Sequence, residues 1–262
     1  MEQEFQGQNG LRIRYSVVGE GPDVVFVHGW ASSRRMWDHI LPALAQRFRC
    51  WALDLPGFGD SDRPAPGWYS IPNFTAAVVG FVEGLGMVRP RLVGHSMGGM
   101  IALNVAGRHP QALERLVAIN PVVTGRVNLR PLARPDFAHR MLAWALRLSP
   151  LVLQPLAHPM GHRVHGLQFI RRRTEDFCRC SADTLFSSGR AVVAYDLSPV
   201  LAQIAAPTLL LVGQQDANVP PSESRFAARQ IPGARLHLMR AGHLVTDDRP
   251  EKVVAQLAGF LA

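Results

Sequence analysis

The sequence predicts an α/β protein built on a mostly parallel, eight-stranded sheet with helices on both faces. Apolar and β-branched runs bounded by Gly, Pro and Asp alternate with helical patterns along the 262 residues, which is the element order of a parallel sheet. The run DVVFVHG (residues 23–29) is almost wholly apolar, as expected of a strand covered on both faces. Strand patterns stop between residues 122 and 205, which predicts a helical insertion.

Each element is predicted from its own pattern. The segment LRIRYSVVGEG (residues 11–21) runs into a glycine-rich turn, so we expect half of an antiparallel hairpin at the sheet edge. Further strands are expected at residues 23–29, 49–56, 90–96, 113–121, 207–213 and 234–239. Helices are expected at Met36–Arg47, Ile71–Leu85, Met97–Arg108 and Pro221–Gln230, and from Glu251 to the end. Pro250 suits the first position of this last helix.

One domain with an insertion accounts for a chain of this length. Residues 1–121 and 206–262 are expected to form the core domain, and residues 122–205 a helical cap that includes DFAHRMLAWALRLSP (136–150). An insertion at the carboxyl edge of a parallel sheet covers the ligand crevice. The cap is therefore expected to act as a lid that shapes the substrate pocket.

Composition favours a globular protein of the cytoplasm. Apolar residues make up 47% of the chain and charged residues 18%, far from the composition of a disordered protein. No run approaches the roughly 20 apolar residues that span a bilayer, and the first ten residues lack the basic and apolar regions of a signal peptide. The three cysteines have no disulfide-framework spacing and are expected to stay reduced.

Most of the net charge of +8 lies in the predicted cap. Eleven arginines and five acidic residues lie between Pro121 and Ala206, and the triplet Arg171–Arg173 is the densest point. Two interpretations stay open: a solvated face that keeps the protein soluble, or a surface that recruits an acidic carrier or an anionic substrate. No nucleic-acid partner is expected.

The strongest chemical signal is Gly94-His95-Ser96-Met97-Gly98. A G-x-S-x-G pattern is weak evidence alone, but this one ends a predicted strand and opens a predicted helix, which is the context of a nucleophile elbow. Flanking glycines keep neighbouring side chains clear of a strained turn that projects the serine hydroxyl into the crevice. Ser96 is therefore the predicted nucleophile.

A serine nucleophile needs a base, and the base needs a carboxylate that orients it. His243 follows the last predicted strand, and Asp216 follows the strand predicted at 207–213. Both loops are thus expected at the same carboxyl edge as Ser96. The chain order Ser96, Asp216, His243 matches the order of nucleophile, acid and base in proteins that have a nucleophile elbow.

The oxyanion hole is expected to consist of two backbone N–H groups. Met97, directly after the nucleophile, supplies one, and Trp30, directly after His28-Gly29 at the end of an early strand, supplies the other. The Trp30 ring either lines the pocket or only packs.

These motifs resemble, in order along the chain, those of the α/β-hydrolase superfamily. The matching segments are His28–Trp30, Asp54–Asp62, Gly94–Gly99, Gly213–Asp216 with Val219-Pro220, and Gly242-His243. The likeness spans the chain apart from the insertion. It is greatest to bacterial carboxylesterases, including the group similar to the pimeloyl-carrier-protein methyl ester esterase, which share the His-Gly-Trp element. Ser96 argues against haloalkane dehalogenases and epoxide hydrolases, which carry aspartate there.

Other polar residues are expected to have plainer roles. Asp54 suits turn and loop packing, although Asp54 or Asp247 could replace Asp216 as the orienting carboxylate. His28 and His95 are expected to serve structure, because the backbone beside them takes part in the chemistry. A metal cluster of His162-x-x-His165 with Cys178-x-Cys180 matches no structural zinc pattern.

The predicted reaction is acyl transfer on a small carboxylic ester through an acyl-enzyme, with no cofactor or metal. The cap is rich in Leu, Met, Trp and Phe, which favours an ester with an apolar portion. Lactone hydrolysis, C–C bond hydrolysis of diketones and perhydrolysis could use the same residues. Two alternatives are of another class: a non-catalytic ligand-binding protein, and a lipid- or carrier-docking module.

Overall fold

A computed structural model of the protein describes residues 2–7, 10–128 and 167–262, which include an eight-stranded sheet. The strands are β1 (Glu2–Gln6), β2 (Arg12–Val18), β3 (Asp23–Val27), β4 (Arg49–Leu53), β5 (Arg91–His95), β6 (Arg115–Ile119), β7 (Thr208–Gly213) and β8 (Arg235–Met239). Their order is β1-β2-β4-β3-β5-β6-β7-β8. Strands β1 and β2 pair antiparallel, as do β2 and β4, and the other pairs are parallel. The predicted edge hairpin and parallel core are confirmed.

Helices connect most of the parallel strands. Those in the described ranges are α1 (Leu41–Leu44), α2 (Ile71–Gly84), α3 (Met97–Arg108), α4 (Leu167–Arg179), α5 (Ala182–Ala194), α6 (Ser198–Leu201), α7 (Pro221–Gln230), α8 (Val245–Asp248) and α9 (Pro250–Leu261). Serine caps begin two of the longer helices: Ser70 accepts from the backbone N–H of Asn73, and Ser181 from that of Thr184. Each cap satisfies an N–H that has no partner within the helix.

The prediction of one helix over Met36–Arg47 is wrong. A 3-10 turn at Arg34–Trp37 and the single-turn helix α1 replace it. Pro42 explains the break, because proline has no N–H and its ring clashes with the carbonyl four residues earlier in a helix. A helix can restart only with proline near its beginning, and Pro42 is the second residue of α1.

Two apolar layers cover the two faces of the sheet. Successive residues of β3 enter opposite layers: Val25 and Val27 pack with α2 and α3, whereas Val24 and Phe26 pack with α9. All four side chains are fully buried. Since side chains alternate along a strand, a sheet covered on both faces needs apolar residues at every position. This is why the central strands read as continuous apolar runs.

The proposed cap lies between β6 and β7, and its described part contributes α4, α5 and α6. The predicted amphipathic stretch at residues 136–150 lies outside the described residues. That residues 122–205 act as a cap remains a proposal. Within the described ranges, no helix is both long and apolar enough to cross a bilayer.

Candidate active site

The three predicted triad residues lie at the carboxyl edge of the parallel sheet. Ser96 directly follows β5, Asp216 lies three residues beyond β7, and His243 lies four residues beyond β8. Parallel strands direct these loops to one edge, which is where α/β sheets bind ligands. Residues far apart in sequence therefore meet in one place.

The structure joins the three side chains by hydrogen bonds. His243 Nδ1 lies 2.7 Å from Asp216 Oδ2, and His243 Nε2 lies 3.0 Å from Ser96 Oγ. The second oxygen, Asp216 Oδ1, accepts from the backbone N–H groups of Asn218 and Val219, both at 2.8 Å. Because a carboxylate only accepts, its partners assign the proton to Nδ1 and leave Nε2 free to accept from the serine hydroxyl.

Ser96 occupies a strained turn between β5 and α3. Its backbone angles are φ 55° and ψ −116°, outside the regions that non-glycine residues ordinarily occupy. Glycines make the turn possible: a Cβ on Gly94 would lie 2.2 Å from the carbonyl oxygen of Gly98, and one on Gly98 would lie 2.3 Å from that of Val27. The Ser96 N–H donates to the Ile119 carbonyl at 2.9 Å, which ties the turn to the neighbouring strand.

The loop that carries His243 is held through hydrogen bonds to the backbone carbonyl of His243. That oxygen accepts from Asn120 Nδ2 at 2.7 Å and from His95 Nε2 at 2.8 Å. Asn120 Oδ1 in turn accepts from the Gly213 N–H at 2.7 Å, so one side chain joins the end of β7 to the loop after β8. Asn120 was not among the site residues predicted from the sequence. The signal for it is an amide residue that directly follows the apolar end of β6 at the carboxyl edge.

His95 packs directly against the catalytic candidate His243. The two ring centroids lie 4.8 Å apart. Burial holds the pKa of His95 well below its usual value, so His95 is neutral and its Nε2 carries the proton donated to the His243 carbonyl. The predicted structural role of His95 thus takes a specific form, since it positions the loop of His243.

The two predicted oxyanion donors lie at the start of α3 and in the loop after β3. Met97 is the first residue of α3, and the first N–H groups of a helix have no intrahelical acceptor. On the other side, His28 Nδ1 lies 2.7 Å from the Gly29 carbonyl oxygen, and His28 Nε2 accepts from the Leu55 N–H at 3.0 Å. A trans peptide points its N–H opposite its carbonyl. His28 therefore holds the Gly29–Trp30 peptide with the Trp30 N–H directed away from the His28 ring.

Comparison with known proteins identifies the family. A model described as "Alpha/beta hydrolase family" matches residues 24–257. The chain belongs to the alpha/beta hydrolase family. The hydrolase is 28% identical over 251 residues to the pimeloyl-[acyl-carrier protein] methyl ester esterase of Aeromonas hydrophila, with 93% of this chain and 96% of that relative covered. The resemblance predicted from the sequence motifs is confirmed.

Solved structures similar to the hydrolase also span its whole length. A hydrolase from Pseudomonas aeruginosa PA01 has a TM-score of 0.84 at 26% identity, with 100% of this chain and 98% of that chain covered. A thermophilic esterase from Thermogutta terrifontis, solved with malate bound, has a TM-score of 0.80 at 26% identity and the same coverage.

The Trp30 side chain links the loop after β3, which carries the predicted oxyanion donor, to the described helices between β6 and β7. Its indole Nε1 lies 3.0 Å from the Leu185 carbonyl oxygen and 3.1 Å from Ser188 Oγ, both on α5. Its ring meets that of Phe177 on α4 edge to face, with centroids 6.1 Å apart. These contacts favour the packing role over the pocket-lining role for this ring.

The two alternative carboxylates are engaged elsewhere. Asp54 is fully buried, forms an ion pair with the Arg34 guanidinium, and accepts from the Asp60 N–H at 2.9 Å. Asp247 pairs with Arg172 at 2.8 Å. In the part of the chain that the structure describes, Asp216 is the only carboxylate that is hydrogen bonded to the His243 ring.

Proposed function

We propose that the hydrolase cleaves carboxylic esters, with Ser96 as nucleophile, His243 as general base and Asp216 as the carboxylate that orients the base. The observation that carries this proposal is the unbroken path from Asp216 through His243 to Ser96, with distances of 2.7 and 3.0 Å. A hydroxyl becomes a useful nucleophile when a neutral imidazole is positioned to take its proton.

In the first half-reaction, Ser96 Oγ forms a bond to the ester carbonyl carbon while its proton passes to His243 Nε2. The carbonyl electron pair moves onto oxygen, and the N–H groups of Trp30 and Met97 donate to that oxyanion. Asp216 stabilises the imidazolium. The carbon–oxygen bond to the alcohol then breaks, and the alcohol leaves with the proton from His243.

In the second half-reaction, water takes the place of the alcohol. His243 removes a proton from the water as its oxygen attacks the acyl-enzyme carbonyl, and the same N–H groups hold the second oxyanion. The bond to Ser96 breaks, Ser96 recovers its proton from His243, and the carboxylic acid departs. Water is the only co-reactant that these steps consume.

Two further observations support the proposal of an ester substrate and of a cap formed by residues 122–205. The Aeromonas hydrophila relative is named a methyl ester esterase and the Thermogutta terrifontis neighbour an esterase. The contacts of Trp30 with α4 and α5 hold the described part of residues 122–205 against the proposed oxyanion loop. We therefore propose that this insertion forms the lid over the ester site.

A substrate panel tests the reaction class. The panel contains p-nitrophenyl esters, lactones and a meta-cleavage diketone, each assayed with the wild type and with Ser96→Ala. We expect ester turnover in the wild type and a loss of about 10⁴-fold or more in the variant. Rapid turnover of the lactone or the diketone with no ester hydrolysis would reassign the reaction.

A covalent probe tests the nucleophile separately. A fluorophosphonate is expected to modify the wild type at Ser96, located by peptide mass spectrometry, and to leave Ser96→Ala unmodified. Labelling at Ser96 without turnover of any panel member would favour the ligand-binding alternative. Turnover that persists in folded Ser96→Ala would remove Ser96 from the mechanism.

A further inference from the structure

Neighbouring arginines of α4 have different surroundings. Arg172 pairs with Asp247 at 2.8 Å. Burial lowers the pKa of Arg173, and its Nη1 donates to the buried Ser32 hydroxyl at 3.1 Å. The side chain of Arg171 lies outside the described residues. The arginine triplet is therefore not one uniform solvated face, because Arg173 points its charge into the protein.

The carboxylates nearest to Arg173 are bound to other groups. Asp247 is paired with Arg172, and Asp176 forms an ion pair with Arg35 and accepts from Ser33 Oγ at 2.9 Å. Their charges raise the pKa of Arg173 without outweighing the effect of burial. Among the described residues, no carboxylate lies within ion-pair distance of the Arg173 guanidinium. Arg173 is only partly exposed, and a partly desolvated cation with a single neutral acceptor is stabilised when an anion binds to it.

Arg173 is bound to the loop that carries the proposed oxyanion donor Trp30. Its partner Ser32 is two residues beyond Trp30 on the oxyanion loop. That loop touches the nucleophile, since a Cβ on Gly29 would lie 3.2 Å from the Cβ of Ser96. The charge of Arg173 also lowers the pKa of both His28 and His95, the two histidines that flank the proposed oxyanion hole.

We propose that Arg173 and Ser32 form a carboxylate-binding subsite of the active site, so that the preferred ester carries a second, free carboxylate. This inference rests on the proposed ester hydrolysis and adds a substrate class to it. A guanidinium has five N–H donors in one plane, and the bond to Ser32 uses one of them. The others are available for paired hydrogen bonds to a carboxylate, which is the geometry that arginine recognises best.

A purely structural role for Arg173 makes a different prediction. If Arg173 only held α4 on the oxyanion loop through Ser32, its loss would slow every ester alike. A carboxylate subsite instead separates charged from neutral esters of the same size. The ratio of kcat/KM for such a pair is therefore the informative quantity.

The experiment compares the p-nitrophenyl monoester of glutaric acid with p-nitrophenyl pentanoate, whose terminal methyl replaces the carboxylate. We expect the wild type to prefer the anionic ester and Arg173→Gln to lower the anionic-to-neutral ratio by about tenfold or more. The matched control is Arg179→Gln, which removes the same charge from the exposed end of α4 and should leave the ratio within about twofold. An unchanged ratio in Arg173→Gln, or an equal loss on both esters, would overturn the subsite.

Two further measurements keep the inference testable. If Arg173→Gln does not fold, Ser32→Ala replaces it, with a smaller fall in the same ratio expected and an unchanged ratio counting against the subsite. If the wild type hydrolyses neither ester, the ester proposal fails, and the subsite is tested by calorimetric binding of glutarate to Ser96→Ala. Binding that is about tenfold weaker in Ser96→Ala/Arg173→Gln supports the subsite. Equal binding, or none to Ser96→Ala, refutes it.

Discussion

The loops that carry Ser96 and His243 are held in place by different interactions from those that hold the loop after β3 (residues 28–33) and the helices that pack on it. Around the triad candidates, hydrogen bonds to backbone groups hold the loops. The Asn120 amide and the His95 ring both donate to the His243 carbonyl, and the Asp248 carboxylate accepts from the Gly242 N–H. Around the loop after β3 and around α4, ion pairs between side chains dominate. Arg34 pairs with Asp54, and other pairs join α4 to its neighbours: Arg35 to Asp176, and Arg172 to Asp247.

The arrangement of the triad candidates therefore depends on other interactions than the packing of α4 against the rest of the protein does. Hydrogen bonds between buried neutral groups do not depend on counter-ions, and they change with pH only when a group such as His95 takes up a proton. Ion pairs respond to protonation of their carboxylates and, where exposed, to salt. We therefore expect the triad to keep its arrangement under conditions that loosen the contacts of α4.

The largest effect is expected for the triad candidates. Ser96→Ala and His243→Ala should each lower kcat for ester hydrolysis by about 10⁴-fold or more, and Asp216→Ala somewhat less, because the three act as one unit. For the same reason the losses should not multiply in double variants. Steady-state kinetics and circular dichroism on each variant provide the check. Near-normal turnover in any folded single variant would exclude that residue from the triad.

The next largest effect is expected on stability, from loss of the buried ion pair between Arg34 and Asp54. Asp54→Ala should lower the free energy of unfolding by about 3–5 kcal/mol, because it removes the only buried carboxylate among the described residues that pairs with Arg34 and the acceptor of two backbone N–H groups. The pairs of Arg34 with the more exposed Glu2 and Asp60 remain. Asp62→Ala is the matched control in the same loop. Its pair with Arg12 is exposed, with side-chain exposures of 36% and 45%, so about 1 kcal/mol or less is expected. Equal losses in urea unfolding would mean that burial does not set the strength of these pairs.

A variant at Asn120 tests the hydrogen bonds that hold the loop of His243. Asn120→Ala should lower kcat by about tenfold, because the loss of a buried hydrogen bond worth about 1 kcal/mol loosens the loop of His243. Asn104→Ala is the control. Asn104 is also fully buried, but its amide bonds Thr75 and its oxygen accepts from Tyr195. We expect similar destabilisation in both variants and a fall in kcat only for Asn120→Ala. A matching fall in Asn104→Ala would reduce the Asn120 effect to general destabilisation.

The smallest effect is a pH dependence of stability. Burial lowers the pKa of His28 and of His95, so the unfolded chain binds protons at a higher pH than the folded protein does. Their contribution is complete above the unfolded value of about 6.5 and is lost as pH falls toward the lowered folded values. The free energy of unfolding should therefore decline below about pH 6.5, by at most about 1.4 kcal/mol per pH unit for each histidine.

A single variant separates the two histidines. His95→Gln keeps a donor near the His243 carbonyl and removes one titrating group, so its decline between pH 6.5 and 5.5, measured by urea unfolding, should be shallower than that of the wild type. An identical decline would show that His95 does not take up a proton on unfolding in this range.

Local patterns made much of the fold predictable. The apolar run of β3 indicated a strand covered on both faces, and the two core layers confirm it. The prediction of a helix over Met36–Arg47 is wrong for a local reason, because the apolar periodicity continues through Pro42, which a helix interior excludes. The triad candidates could be named because each follows a predicted parallel strand, and that placement implies a shared edge. Asn120 also follows a predicted parallel strand, but an amide that belongs to no known chemical motif does not by itself indicate a role.

The sequence by itself determined the order of strands and helices, the glycine-lined elbow at Ser96 and the side of the sheet on which Asp216 and His243 lie. These follow from short-range sterics and from the rule that parallel strands end together. Only the tertiary structure decided which partners the polar groups choose. It separated Arg172, paired with Asp247, from the adjacent Arg173, directed at Ser32. Ion pairing and burial depend on which residues folding brings within a few ångströms, and neighbouring residues on a helix point in different directions.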